Sequence, residues 1–275
     1  MKKYSMAAII GCAILSVVPA SASNSSFVFT NGVSSNPYAT ANGVTVNMYA
    51  FDIAGTSAGP GTGKFTTASI GVYGANGIGV CETGSGLPGN DCNSPNHQIN
   101  QGNDFNAGSH GQTGGPATDY YEFILFQFTG GTVNLSSMTL GNFGTNGTTT
   151  DPFGATYWTY TANTSLASME TALASATVST LGSDGFSAAN STTCPGCAVN
   201  ATGVNDALSG SNVTYLLFGA SITDAAGTDF FKIQDLNVSA TNTTVVSSTP
   251  EPATFGLIGL ALAGLGVYGR KRKSR

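Results

Sequence analysis

Positive charge is scarce in the central part of this chain. Of the nine Lys and Arg among 275 residues, only Lys64 and Lys232 lie between residues 23 and 249. Thirteen of the fourteen Asp and Glu lie in the same segment, so two cations against thirteen anions give it a net charge of −11. Binding to nucleic acid requires a cationic surface. The charge pattern therefore disfavours nucleic acid as a partner.

Apolar runs long enough to interact with a membrane are absent from this segment and occur only near the two ends of the chain. At the N-terminus, Lys2 and Lys3 precede an apolar core from Ala7 to Val18, which is followed by Ala20-Ser21-Ala22. A charged start, an apolar core and an A-x-A site are typical of a secretory signal peptide. The sequence therefore predicts a signal peptide over residues 1–22.

The C-terminal end has three parts in a fixed order. Pro250, Glu251 and Pro252 precede an uncharged run from Ala253 to Gly269. The basic residues that follow are Arg270, Lys271, Arg272, Lys273 and Arg275. At ~1.5 Å per residue, the uncharged run would form a helix roughly 26 Å long, which spans a ~30 Å hydrocarbon core only if the flanking basic side chains snorkel. This pattern predicts a single transmembrane helix whose basic end stays in the cytoplasm.

Pro-Glu-Pro, one short span and a basic end together resemble the PEP-CTERM sorting signal of Gram-negative bacteria, here over residues 250–275. The resemblance implies that an exosortase, a membrane-embedded cysteine protease, recognises this end as a processing partner. It also implies an exported protein that is held transiently in the inner membrane and then reaches the cell surface or extracellular matrix.

The segment between the two ends is rich in Gly, Asn, Ser and Thr and predicts an all-β domain over residues 23–239, followed by a polar linker over 240–249. The strongest strands are Tyr120–Phe128 and Thr132–Leu140, which we predict to form a hairpin through Thr129-Gly130-Gly131. A shift in the apolar phase of the second strand predicts a β-bulge. The other predicted elements are a long loop over 74–116, strands over 44–51, 65–73, 156–161, 213–218 and 230–238, and one helix over 166–178 with Ser165 as N-cap. Many short strands with Gly-rich turns favour an antiparallel β-sandwich with a jelly-roll-like topology.

Cysteine is also scarce. Cys12 lies in the predicted signal peptide, and the exported part retains four cysteines: Cys81, Cys92, Cys194 and Cys197. An even number in an oxidising compartment predicts two disulfides, with three connectivities possible, and we favour the local pairs. A redox-active C-x-x-C would need a following helix in a βαβ fold, and neither pattern is visible. A zinc site completed by His97 or His110 would need closer spacing of the first pair.

No catalytic residues are expected. A G-x-S-x-G motif over residues 55–59 is followed by a Gly/Pro turn where a nucleophile elbow requires a helix. Glu122 is a candidate acid for glycoside hydrolysis, although we interpret it as a solvated residue on a half-exposed strand. No cofactor is expected; the alternative is calcium held by loop carboxylates such as Asp91, Asp104 and Asp119.

The composition favours a structural or adhesive role in an exopolysaccharide layer, because hydroxyl and amide side chains suit hydration and contact with sugars. Alternatives are a carbohydrate-binding module or an extracellular hydrolase. We interpret the strand aromatics as core residues, with stacking on sugar rings as the alternative; they are Tyr120, Tyr121, Tyr157, Trp158 and Tyr160.

Overall fold

The structure is a computed structural model that describes residues 23–30, 39–55, 60–72, 74–81, 99–102, 119–141, 153–194, 203–223 and 230–241. All of them belong to one compact unit, Met1–Thr243, and the second unit, Thr244–Arg275, lies outside the described residues. The predicted signal peptide and the predicted membrane span also lie outside them. No helix among the described residues is long and apolar enough to cross a membrane.

Thirteen strands and one α-helix lie in the described part of the chain. The strands are β1 (Ser23–Val28), β2 (Ala39–Ala41), β3 (Val44–Gly55), β4 (Phe65–Val72), β5 (Ile78–Cys81), β6 (Ile99–Gly102), β7 (Asp119–Thr129), β8 (Thr132–Gly141), β9 (Phe153–Tyr160), β10 (Asn190–Cys194), β11 (Val204–Ala207), β12 (Tyr215–Ala220) and β13 (Phe230–Thr241). The helix α1 comprises Leu166–Ser175, and short 3-10 turns occupy Gly74–Asn76 and Val178–Thr180. The predicted antiparallel all-β fold is confirmed.

The strands form one nearly closed sheet. Its order is β10-β9-β12-β7-β3-β4-β5-β13-β8-β11, with β1 on β13 and β2 on β3. Strand β4 joins the two halves, because its first residues pair with β3 and its last residues pair with β5. Strand β6 joins them a second time by pairing with both β7 and β13. The jelly-roll topology stays a prediction.

The main core lies between the two halves of the sheet. From β7 it receives Ile124, Phe126 and Phe128, and from β8 it receives Val133 and Met138. A second core lies on the opposite face of β7, where Phe123 and Leu125 pack with Met169 and Leu173 of α1. From Tyr121 to Phe126 both faces of β7 are therefore buried, which explains why this part of the strand is apolar at nearly every position rather than at alternate ones.

The predicted hairpin of β7 and β8 is wrong. Strand β7 pairs with β3, β12 and β6, whereas β8 pairs with β13 and β11. The physical reason is that both strands have an apolar face that belongs to the main core, and they cover it from opposite sides. Gly130, with φ of 85°, lies in the connection. A Cβ atom at this position would overlap with the carbonyl oxygen of Gly43.

The predicted bulge in β8 is confirmed. Asn237 pairs with Ser137 and Val238 pairs with Leu135, so Ser136 is the extra residue in β8. The insertion lets residues on both sides of it, Leu135 and Met138, face the main core.

The predicted helix is confirmed, and its start is as expected: the Ser165 hydroxyl accepts a hydrogen bond of 3.3 Å from the Ser168 backbone amide. It ends earlier than predicted, at Ser175, because Ala176 adopts extended backbone angles. The predicted long loop over 74–116 was wrong in two places, since it contains β5 and β6. Both are four-residue strands whose Gly and Asn content hides the strand pattern.

Candidate functional site

The structure assigns most of the candidate aromatic residues to the cores. Tyr121, Tyr157 and Trp158 are each at most 3% exposed, so their rings cannot stack on a sugar. Trp158 packs against the Phe123 ring at a centroid distance of 5.9 Å. Tyr160 is half-buried and packs on Phe186 at 5.2 Å. The core interpretation is therefore confirmed for the three buried residues.

Glu122 is buried, with 1% of its surface exposed, and the interpretation as a solvated residue was wrong. It lies directly opposite Asp52 of β3 in the sheet register. Asp52 is also buried, and burial raises the pKa of its carboxyl group, while a hydrogen bond with Thr66 acts in the opposite direction. This arrangement could not be predicted from the sequence, because no local pattern indicates that β3 pairs with β7.

Two further ionisable groups are buried. Asp206 of β11 lies near Thr192 of β10, and burial raises the pKa of Asp206. Within the described residues, the Thr192 hydroxyl makes no hydrogen bond of good geometry. It nevertheless lies close enough to the Asp206 carboxyl group to lower the pKa of Asp206, against the larger effect of burial. Lys232 of β13 is fully buried, and burial lowers its pKa to about 8.

A row of polar side chains crosses four strands on the outer face of β3, β7, β12 and β9. The register places Asn47, Gln127, Tyr215 and Tyr160 side by side in this order. The Asn47 amide donates to the Gln127 side-chain oxygen at 3.2 Å, and the Gln127 amide donates to the Tyr215 hydroxyl at 2.9 Å. The Tyr215 hydroxyl donates in turn to the Thr164 carbonyl oxygen at 2.7 Å. These hydrogen bonds fix the orientation of both amide groups.

Tyr49 and Glu170 adjoin this row, since Glu170 is close enough for its charge to raise the pKa of both Tyr49 and Tyr215. Tyr49 lies two residues after Asn47 on the same face of β3 and is half-buried, and Glu170 lies on α1. Burial raises the pKa of the Tyr49 hydroxyl, and the negative charge of Glu170 raises it further. Tyr49 therefore stays protonated in the neutral range and is able to donate a hydrogen bond.

A separate shallow groove of about 470 Å³ lies beside the residues that follow α1. It is lined by Pro60, Gly61, Trp158, Val178, Ser179, Gly182, Ser187, Ala188, Ala189 and Ile222. None of these lining residues is charged. Because its lining is small or apolar apart from two serines and has no ionisable side chain, the groove has few groups that could bind or convert a ligand.

Metal ligands do not cluster in the described part of the chain, where no group of three or more His, Cys, Asp or Glu could hold an ion. Of the carboxylates considered for calcium, Asp119 begins β7, and Asp91 and Asp104 lie outside the described residues. The calcium alternative stays a prediction.

The cysteines are placed only in part. Cys81 is the last residue of β5 and Cys194 is the last residue of β10. Their predicted partners, Cys92 and Cys197, lie outside the described residues, so both disulfides stay predictions.

Residues 248–273 match the family model of the PEP-CTERM protein-sorting motif. The chain carries a PEP-CTERM sorting motif. The match contains Pro250, Glu251 and Pro252 together with the basic residues from Arg270 to Lys273, and it confirms the resemblance inferred from the sequence. No curated protein and no solved structure matches the chain.

The PEP-CTERM motif indicates an exported protein that an exosortase sorts to the cell surface of a Gram-negative bacterium. The residues of the motif lie outside the described residues. Its assignment therefore depends on the order of the three sequence features.

Proposed function

We propose that this protein is a structural or adhesive component of an extracellular polysaccharide layer, and not an enzyme. The observation that carries the proposal is the PEP-CTERM motif over residues 248–273, which indicates export and exosortase-dependent sorting. The signal peptide directs the chain across the inner membrane. The C-terminal helix then holds the protein in that membrane until the exosortase removes the helix.

The chemistry of the exported part supports this role. Its sequence contains only two Lys or Arg and is rich in hydroxyl and amide side chains, which hydrate well and form hydrogen bonds with sugar hydroxyls. The burial of Glu122 and Asp52 also weakens the case for a hydrolase, since two catalytic carboxyl groups must reach a glycosidic bond.

The sorting step is tested by replacing Pro250, Glu251 and Pro252 with alanine in cells that contain the exosortase. We expect the wild-type protein at the cell surface to lack residues 1–22 and the residues after the Pro250 region, as measured by intact mass. The variant should remain in the inner membrane with its tail. A matched control replaces Asn242, Thr243 and Thr244 with alanine, outside the matched residues, and should be processed normally.

The matrix role is tested on the processed protein. It should sediment with the polysaccharide fraction of washed cells and be released when the polysaccharide is degraded by a glycan hydrolase. Release by a salt wash alone, or the same distribution in a strain that makes no exopolysaccharide, would contradict the proposed role without affecting the sorting assignment.

A further inference from the structure

The outer face of β3 and β7 has a surface patch that the sorting assignment does not explain. The patch consists of Thr45, Asn47 and Tyr49 of β3, Gln127 and Thr129 of β7, and Glu170 of α1. On β3, Val44, Val46, Met48 and Ala50 alternate with the patch residues and pack in the main core. Strand β3 therefore packs its apolar face in the main core, and its other face is polar from Thr45 to Asn47, adjoins the second core at Tyr49 and is buried in that core at Phe51 and Ile53.

The patch is large enough for more than one sugar ring. From Thr45 to Tyr49 it extends about 14 Å along the strand, and each neighbouring strand adds about 4.8 Å across the sheet. Thr40 of β2 extends it, because its hydroxyl lies 2.9 Å from the hydroxyl of Thr45. These groups are held by a paired sheet, so their positions are fixed before a ligand arrives.

The patch has groups left for a ligand. Gln127 uses its amide oxygen and nitrogen within the row, whereas Asn47 uses only its nitrogen among the described residues. The Asn47 side-chain oxygen and the Glu170 carboxylate can accept hydrogen bonds, and the Tyr49 hydroxyl can donate one. Tyr49 packs partly against the second core, and the part of its side chain that remains exposed adds an apolar surface for the C–H face of a sugar.

The charge of the patch selects among polysaccharides. Glu170 is its only Asp, Glu, Lys or Arg, and of the two cations between residues 23 and 249, Lys232 is fully buried and Lys64 precedes β4. An anionic polysaccharide bound at the patch would be repelled by the Glu170 carboxylate, with no cation in the patch to offset the repulsion. A neutral one would meet hydroxyl, amide and aromatic groups, which match its own hydroxyl and C–H groups.

We propose that the patch of Thr45, Asn47, Tyr49, Gln127, Thr129 and Glu170 is a binding site for a neutral polysaccharide. The site deepens the proposed function and rests on it, because the exported protein meets such polymers only outside the cell. Asn47 and Glu170 accept hydrogen bonds from sugar hydroxyls, Tyr49 donates one and packs on a ring, and Gln127 orients Asn47.

The test is affinity electrophoresis of the purified residues 23–249 in gels that contain a β-glucan, a mannan, a xylan, or the anionic alginate. We expect at least one of the neutral polymers to retard the protein and alginate not to retard it. Tyr49→Ala and Asn47→Ala should each weaken the retardation by about tenfold in apparent affinity. Tyr49→Phe removes the hydroxyl and keeps the ring. Comparing it with Tyr49→Ala therefore separates the contribution of the hydrogen bond from that of ring packing.

A matched control is Asn205→Ala, which removes an exposed amide from β11 on the other half of the sheet and should leave binding unchanged. Each variant is checked by its thermal unfolding temperature, so that lost binding is not mistaken for lost folding. The proposal is overturned if no neutral polymer retards the wild-type protein, if only alginate does, or if Tyr49→Ala and Asn47→Ala bind as well as Asn205→Ala.

The outcome is separable from that of the proposed function. If Tyr49→Ala is processed and exported normally but is lost from the polysaccharide fraction, both proposals hold. If the wild-type protein is in the polysaccharide fraction and the Tyr49→Ala variant is there in equal amount, the role holds and the site is wrong.

Discussion

Asp206 is a carboxyl group on an edge strand, and the fold buries it beside a hydroxyl instead of a cation. Because burial raises its pKa, the folded state binds this proton more tightly than the unfolded state, whose pKa is about 3.8. The stability that this proton contributes is present at acid pH and is lost as the pH rises through the folded-state pKa.

Asp206→Asn should therefore unfold at a higher temperature than the wild type at about pH 8, with a difference that shrinks towards about pH 4. Thermal unfolding at several pH values measures this. Asp184→Asn removes the same charge from an exposed position on the turn after α1 and is the matched control. A lower unfolding temperature for Asp206→Asn at about pH 8 would mean that the ionised carboxylate is stabilised in the fold.

The ionisation of Lys232 gives stability the opposite dependence on pH. Its pKa is lowered from 10.5 to about 8 by burial, so the folded state releases this proton first. Stability should rise as the pH increases from about 8 to about 9.5, with a slope of at most about 1.4 kcal/mol per pH unit. Above that range Tyr49 and Tyr215 oppose it, because burial raises the pKa of both phenols.

Urea unfolding at a series of pH values measures this slope. It should be absent from Lys232→Met and retained in Lys64→Met, which alters an exposed lysine. If Lys232→Met has the same slope as the wild type, another group is responsible.

At the level of elements, β12 is held so closely between β7 and β9 that one position excludes a side chain. A Cβ atom at Gly219 would overlap with the Phe123 ring and the carbonyl oxygen of Glu122. Gly219→Ala should therefore lower the free energy of unfolding by about 1–3 kcal/mol, because the core cannot absorb the extra volume.

Gly182→Ala is the matched control, since a Cβ atom at Gly182 meets nothing within 4 Å. We expect a change within about 0.5 kcal/mol for this exposed position. Equal effects of the two substitutions on chemical unfolding would contradict the close packing of β12 against β7.

The elements also show what the sequence could predict. The bulge at Ser136 and the helix after Ser165 were predictable, because a phase shift and an N-cap are local signals. The strands that pair with β7 could not be predicted, because a Gly-rich connection suits a tight hairpin as well as a crossing between two halves of a sheet. The row from Asn47 to Tyr160 could not be predicted either, because its members come from four strands and only the pairing register of the sheet brings them together.

For the whole molecule, the two ends carry most of the positive charge, so processing should change the charge of the protein in distinct steps. The full chain has a net charge of −5. Loss of the predicted signal peptide removes Lys2 and Lys3 and gives −7, whereas loss of the tail alone removes five cations and Glu251 and gives −9. Loss of both gives −11.

Isoelectric focusing of the protein from the inner membrane and from the cell surface should resolve these forms. We expect the membrane-held form to focus as the −7 species and the surface form as the −11 species, which is the more acidic. Intact mass with thiol labelling of the same bands should show no free thiols if Cys81, Cys92, Cys194 and Cys197 form two disulfides. A surface form that focuses with the −7 species would retain its basic tail, and exosortase-dependent release would then be wrong even though the PEP-CTERM motif is present.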